Sequence, residues 1–273
     1  MSHTSETLSP PKPFSKELPP ELCYESRGHR EAAARLEWMV QHKTLGVLTG
    51  EVGGGKSTLI RRLFATLDPM SYLPIYLCHA TLKPREFYGG LLEAMGVEPV
   101  YTVSKARKLW QETVKSRCVP GERTIVPIID EAHEMSEEML LELRFALNTN
   151  IDSTLLFPLI LVGQPELRKQ LRLKKYEATV QRIGLQYHLG PMSKEETGAY
   201  VRHHMSVSQT QKPVFAESAL HRMFAASQGL PRVVNQIGNQ ILLDATARNL
   251  EVIEEGDVVR VLADMDRQRG VTS

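Results

Sequence analysis

Eight consecutive residues, Gly50-Glu51-Val52-Gly53-Gly54-Gly55-Lys56-Ser57, have the types and spacing to grip a triphosphate. Four glycines let the backbone wrap closely around phosphate oxygens, with several N–H groups turned inward. In a loop of this spacing the lysine reaches the β- and γ-phosphates, and the hydroxyl after it ligates Mg²⁺. Lys56 and Ser57 fill those places, and Thr58 follows them. Gly50 to Thr58 is therefore the expected binding segment for ATP and Mg²⁺. A surface glycine turn is the other reading. It is disfavoured, because an apolar run precedes the motif and a helical stretch follows it, as a phosphate loop requires.

Asp130-Glu131 follows a second apolar run, Ile125-Val126-Pro127-Ile128-Ile129. At the carboxyl end of a strand, Asp130 would hold Mg²⁺ through its water shell and Glu131 would polarise an attacking water. Alone, the pair also reads as an acidic start to the next helix; the phosphate loop upstream favours catalysis. Gln164, in Leu161-Val162-Gly163-Gln164-Pro165, leaves another apolar run. It could reach the γ-phosphate, or serve equally as a loop residue before Pro165. Arginines supply further charge neutralisation in phosphoryl transfer, often from a neighbouring subunit. Arg182 reads from bare sequence as a solvated charge. Arg232 follows Pro231 at an expected helix start, where the dipole disfavours a cation and a phosphate would explain one.

The elements that must position these residues alternate. A helix is expected over 28–41, a strand over 45–49 leading into the loop, and a helix over 56–67. Strands at 73–78, 125–129 and 155–162 follow, with helices over 84–95 and 104–116 and another opening at Glu137-Glu138. Continuous apolar strands alternating with helices predict an α/β fold: a parallel sheet covered by helices on both faces. Pro127 is awkward there, because it removes a ladder donor. Beyond Pro191 the pattern turns helical, beginning with the capping box Ser193-Lys194-Glu195-Glu196. The expected division is a flexible tail over 1–18, a nucleotide-binding domain over 19–190 and an all-helical domain over 191–273.

Hydrophobic residues make up 42% of the 273 and charged residues 24%, an ordinary globular balance. The 33 Lys and Arg nearly offset the 32 Asp and Glu, so bulk charge does not announce a polyanion partner. Cys23, Cys78 and Cys118 are scattered, which fits a reducing cytoplasm and excludes a disulfide framework. No apolar run approaches the roughly 20 residues that span a bilayer. The expected location is the cytoplasm, with no membrane partner.

The chain resembles the ExeA-type AAA+ ATPases from about Pro13 to Arg260. The likeness rests on Pro13-Phe14, Gly46-Val47-Leu48-Thr49-Gly50-Glu51, Asp130-Glu131-Ala132-His133 and the segment from Leu161 to Leu167. It continues through Gln181-Arg182-Ile183, Tyr187-His188-Leu189 and Gln228-Gly229-Leu230-Pro231-Arg232. Leu230 departs from the Gly or Ile common there. The resemblance implies a P-loop NTPase of the AAA+ type with a helical lid, assembled as a ring or helix of about six or seven subunits per turn. By position Gln164 resembles the first sensor, Arg182 the trans-acting arginine finger and Arg232 the second sensor. Tyr24 resembles the segment bordering the adenine.

Secretion ATPases of that family continue into a transmembrane segment and a peptidoglycan-binding domain, whereas this sequence stops at Ser273. Stand-alone forms of this length resemble transposition regulators of the MuB and TnsC type. That implies duplex DNA, a DDE-type transposase and a target-selection adaptor as partners, with Lys83, Arg85, Lys105, Arg107 and Lys108 as DNA contacts. Each of those five is also readable as a solvated face. The alternative is an ExeA-like protein-remodelling or secretion-associated ATPase without DNA binding. A small-molecule kinase fits Asp130-Glu131, Arg182 and the lid less well.

Overall fold

The computed structural model describes residues 10–15, 18–79, 81–148, 155–268 and 270. The chain folds as two compact units: His29–Val52 with Lys56–Gly190, and Met1–Gly28 with Gly53–Gly55 and Pro191–Ser273.

In chain order, the elements carried wholly or mainly by the first unit are α1 (Arg27–Gln41), β1 (Leu45–Gly50), α2 (Lys56–Thr66), β2 (Tyr72–Cys78), α3 (Pro84–Ala94) and α4 (Val103–Arg117). Then come β3 (Thr124–Asp130), α5 (Glu137–Ala146), β4 (Leu159–Gly163), α6 (Pro165–Leu171), α7 (Glu177–Val180) and β5 (Ile183–Leu189). The five strands pair in the order β2-β3-β4-β1-β5, all parallel. Alternate residues of a strand face opposite sides of a sheet, and both sides are filled. Val47, Ile129 and Leu161 join a core with Phe87, Trp110 and Leu143 from α3, α4 and α5. Leu48, Ile128 and Val162 join another with Leu36 from α1 and Leu59 and Leu63 from α2. Burial on both faces is why these strands read as unbroken apolar runs.

Three details differ from the sequence reading. β4 begins at Leu159 rather than Leu155. β5 was not anticipated, because its residues alternate between half-buried and exposed along most of its length. An edge strand with one wet face carries no continuous apolar signal. Pro127 sits in the middle of β3, but pairing with β4 is confined to Ile128 and Ile129, so that ladder starts only after the proline.

The second unit contains α8 (Lys194–Val207), β6 (Val214–Phe215), α9 (Glu217–Ser227), α10 (Pro231–Arg248), β7 (Val252–Ile253) and α11 (Glu255–Gln268). The capping box forms: Ser193 Oγ accepts from the Glu196 N–H, and the Glu196 carboxylate accepts from the Ser193 N–H. The unit is not purely helical, since β6 and β7 pair as a two-residue parallel ladder. Gly229 carries φ +74, and a Cβ there would fall 2.0 Å from the Met192 carbonyl oxygen, so only glycine fits.

The expected tail needs correction where it is described. Phe14 is 1% exposed, stacks on His204 at 5.3 Å and meets Phe215 edge-on. Burying an aromatic ring outweighs the freedom of a short Pro-rich segment, so this stretch belongs to the helical core. Residues 1–9, 16 and 17 of the expected tail lie outside the described residues. No helix among the described residues is long and apolar enough to cross a membrane.

Candidate active site

Because β4 lies between β1 and β3, the carboxyl end of β4 is flanked by the ends of those two strands. Those three ends carry Gly50, Gln164 and Asp130-Glu131. The crevice beyond strand carboxyl ends is where open parallel sheets bind ligands.

Lys56 opens α2 and is 9% exposed; its ammonium donates to the carbonyls of Gly50 at 2.7 Å and Glu51 at 3.0 Å. The cation is therefore held inside the loop it belongs to. Gly53 and Gly55 take φ of +78 and +100, a backbone that side-chain-bearing residues rarely adopt. Gly54 is buried, Glu51 and Val52 are exposed, and Ser57 and Thr58 stand in the first turn of α2. The positive end of that helix favours an anion at the loop.

Asp130 ends β3 and is 6% exposed. Both carboxylate oxygens are engaged: Oδ1 accepts from the Glu131 N–H at 2.8 Å, and Oδ2 from the Tyr76 hydroxyl at 2.6 Å. Burial, then the Asp130 carboxylate, pushes the Tyr76 phenol well above its ordinary range, so it remains a donor. Glu131 has φ +52 and ψ +35. A left-handed backbone costs a glutamate about 1–2 kcal/mol, and such strain collects at functional sites.

Glu131 Oε2 is buried and accepts no hydrogen bond among the described residues. His133 Nδ1 is 3.4 Å away, but it accepts the Gln164 backbone N–H at 3.5 Å. The other ring nitrogen, Nε2, lies 3.5 Å from Glu134. The Glu131 side chain as a whole is 46% exposed, so its carboxylate is open to water. Gln164 is half-buried at the start of α6, and its side chain caps nothing. A hydroxyl (Ser57) and a buried carboxylate (Asp130) are the oxygen donors a hard cation such as Mg²⁺ takes, so the residues present fit that ion.

Arg182 lies elsewhere. It precedes β5, whose Ile183 pairs with Leu45 at the start of β1, whereas Gly50 pairs with Leu189 at the far end. Its guanidinium makes no ion pair among the described residues. In the second unit, Tyr24 sets its ring edge-on to Tyr200 at 5.8 Å and tilted to His203 at 5.7 Å. Arg232 is exposed near the start of α10, and its backbone N–H donates to the Gly53 carbonyl at 3.2 Å.

Of the five expected DNA contacts, Lys83, Arg85, Lys105 and Lys108 are exposed. Arg107 is a correction. Its Nε and Nη2 donate to Glu142 at 2.5 and 2.7 Å, and its guanidinium lies 4.7 Å from the Phe145 ring, so its charge is already neutralised. Sequence reading also missed two residues, Tyr76 and His133. Tyr76 was hidden within an apolar strand, whereas His133 stood in the Asp130-Glu131-Ala132-His133 run and could have been found there.

Comparison with known proteins agrees with this geometry. Residues 39–171 match the model of an AAA domain. General secretion pathway protein A of Aeromonas hydrophila is 33% identical over 256 residues, covering 92% of this chain and 46% of that protein. The chain thus spans about half the length of the curated relative it matches. Among solved structures, the ORC2 protein of Aeropyrum pernix superposes with a TM-score of 0.64 at 16% identity, covering 92% of this chain and 70% of that one. The RuvB Holliday junction branch migration motor of Thermotoga maritima gives 0.57 at 16% identity, covering 90% and 73%. These likenesses show the fold. With the phosphate loop, the acidic pair and the AAA domain in one sheet, the chain is an ATP-hydrolysing enzyme of the AAA+ class, similar to general secretion pathway protein A.

Proposed function

We propose that this ATPase assembles into a ring or helix and uses ATP turnover to remodel or assemble a protein partner, as a secretion-associated machine would. The observation that carries the reading is the similarity along 92% of the chain to general secretion pathway protein A. The position of Arg182 supports assembly. β1 is six residues long, so Arg182 stands roughly 20 Å along the sheet from its own phosphate loop. That is too far for its guanidinium, and a phosphate it touches would belong to another subunit.

In this reading Lys56 and the loop amides hold the triphosphate, Ser57 and Asp130 hold Mg²⁺, and Glu131 orients the attacking water. Gln164 faces the γ-phosphate, Arg232 senses the nucleotide, and Tyr24 borders the adenine. The bound cation would neutralise charge on the phosphate oxygens.

A second reading, the DNA-bound transposition regulator with a transposase and an adaptor as partners, has one observation in its favour. Arg85 lies 5.5 Å from the ring of Tyr101, which is 82% exposed, and Lys83, Lys105 and Lys108 complete four exposed cations on this stretch of chain. Arg107 is outside that set. Duplex binding would be ATP-dependent and would weaken steeply with salt, by a slope of about −0.9 per phosphate contact. Measuring binding to random duplex across a salt series decides between the two. Indifference to DNA supports the protein-directed machine, and a steep salt slope overturns it in favour of transposition.

A further inference from the structure

Tyr76 belongs to no motif, yet it makes the closest side-chain contact to the carboxylate assigned to Mg²⁺. β2 and β3 run parallel with Tyr76 opposite Ile128 and Cys78 opposite Asp130. Residues of the same parity share a sheet face, so Tyr76 and Asp130 both lie on the side where Val126 and Ile128 pack against α1 and α2. The tyrosine is long enough to reach one register step ahead, and its hydroxyl donates to Asp130 Oδ2 at 2.6 Å. Asp130 Oδ1 meanwhile accepts from the Glu131 N–H at 2.8 Å. The chain of bonds from phenol to carboxylate to backbone amide fixes the plane of Asp130 and the left-handed turn at Glu131 together.

An ordinary core tyrosine would not be built this way. Tyr76 is 47% exposed and lies on the outermost strand of the sheet, so burial of its ring does not account for its place. We infer that Tyr76 is a positioning residue for the metal carboxylate: it holds Asp130 turned toward the cation and thereby sets the Mg²⁺ requirement of nucleotide binding. The inference rests on the proposal that Asp130 holds Mg²⁺. An oxygen that accepts one hydrogen bond keeps a second lone pair for a metal-bound water, so the phenol and the hydrated ion can use Oδ2 together. Partners behind a metal ligand orient it, and their loss costs about 10–100-fold in metal affinity or activity.

The test is a Mg²⁺ titration of fluorescent ATP binding to the full chain, starting from EDTA. Tyr76→Phe should bind the nucleotide in EDTA within about twofold of the native chain, while the Mg²⁺ concentration for half-maximal enhancement rises about tenfold. In an Asp130→Ala background, Tyr76→Phe should change nothing further, because the residue acts through Asp130. An unchanged Mg²⁺ requirement overturns the inference, as does equal loss of binding in EDTA, which would mark a purely structural role. If the phenylalanine variant melts early, Tyr76→Val, suited to an edge strand, is titrated and read in the same way. If Asp130→Ala itself leaves the Mg²⁺ response of the native chain intact, the metal reading fails and takes this inference with it. The tyrosine inference alone fails when Asp130→Ala matters and Tyr76→Phe does not.

Discussion

Arg182 and Gly50 stand at opposite ends of the adjacent strands β5 and β1: Ile183 pairs with Leu45, and Leu189 with Gly50. The register separates the arginine from the phosphate loop of its own chain by the full length of β1.

Arg182→Ala should therefore bind ATP within about twofold of the native chain but hydrolyse it about a thousandfold more slowly once assembled. Mixing it with Glu131→Gln should restore part of the rate, since the glutamine variant keeps Arg182 and the alanine variant keeps the base. Absence of recovery, with co-assembly verified, would rule out supply from a neighbour.

The two ends of the phosphate site should separate in mutagenesis. Lys56→Ala removes the buried ammonium and should abolish nucleotide binding, read by fluorescent ATP. Glu131→Gln keeps the loop intact, so binding should survive while hydrolysis falls about 10²–10⁴-fold. If Glu131→Gln hydrolyses at the native rate, Glu131 is not the base.

Arg107 closes a partly buried network in which Glu142, 7% exposed in its side chain, also accepts from Tyr88 at 2.7 Å. Removing the cation leaves that carboxylate unpaired. Arg107 is itself one-third exposed (34%), so Arg107→Ala should cost about 2–3 kcal/mol rather than the full buried-pair penalty. Denaturant unfolding should register that loss. Any affinity for duplex DNA should stay unchanged.

His204 provides a pH test of the helical unit. Burial, then the neighbouring charge of His203, lowers it from 6.5 to about 4. Its ring is packed against Phe14 and Tyr200. Between those pH values the unfolded chain binds the proton and the folded chain does not, so stability falls as pH drops through that window. The loss approaches about 3 kcal/mol at the lower end. His204→Phe should flatten the dependence when melting temperatures at pH 7 and pH 4.5 are compared. Parallel curves for the two chains would refute the assignment.

Phe14 is the cheapest check on where the helical unit begins. With the ring 1% exposed, Phe14→Ala should cost about 3–5 kcal/mol. A change under 1 kcal/mol in denaturant unfolding would return that segment to a loose tail.

The phosphate loop, the acidic pair and the buried strands were legible in the primary sequence because each is local. Gly50 to Ser57 bends through glycine backbone freedom, Asp130-Glu131 follows its apolar run directly, and strands covered on both faces are apolar throughout. Ser193 and Glu196 announced their capping box for the same reason, three residues apart in one turn. What depends on pairing between distant segments was not legible. β5 was missed because a half-wet edge strand looks like a loop until β1 is beside it. Only the β2–β3 register puts Tyr76 on Asp130, 54 positions apart, and only the packing of α4 on α5 turns Arg107 from a surface cation into a partner of Glu142. Local backbone preference acts over a few residues, whereas hydrogen bonding and burial choose among all the segments that folding brings together.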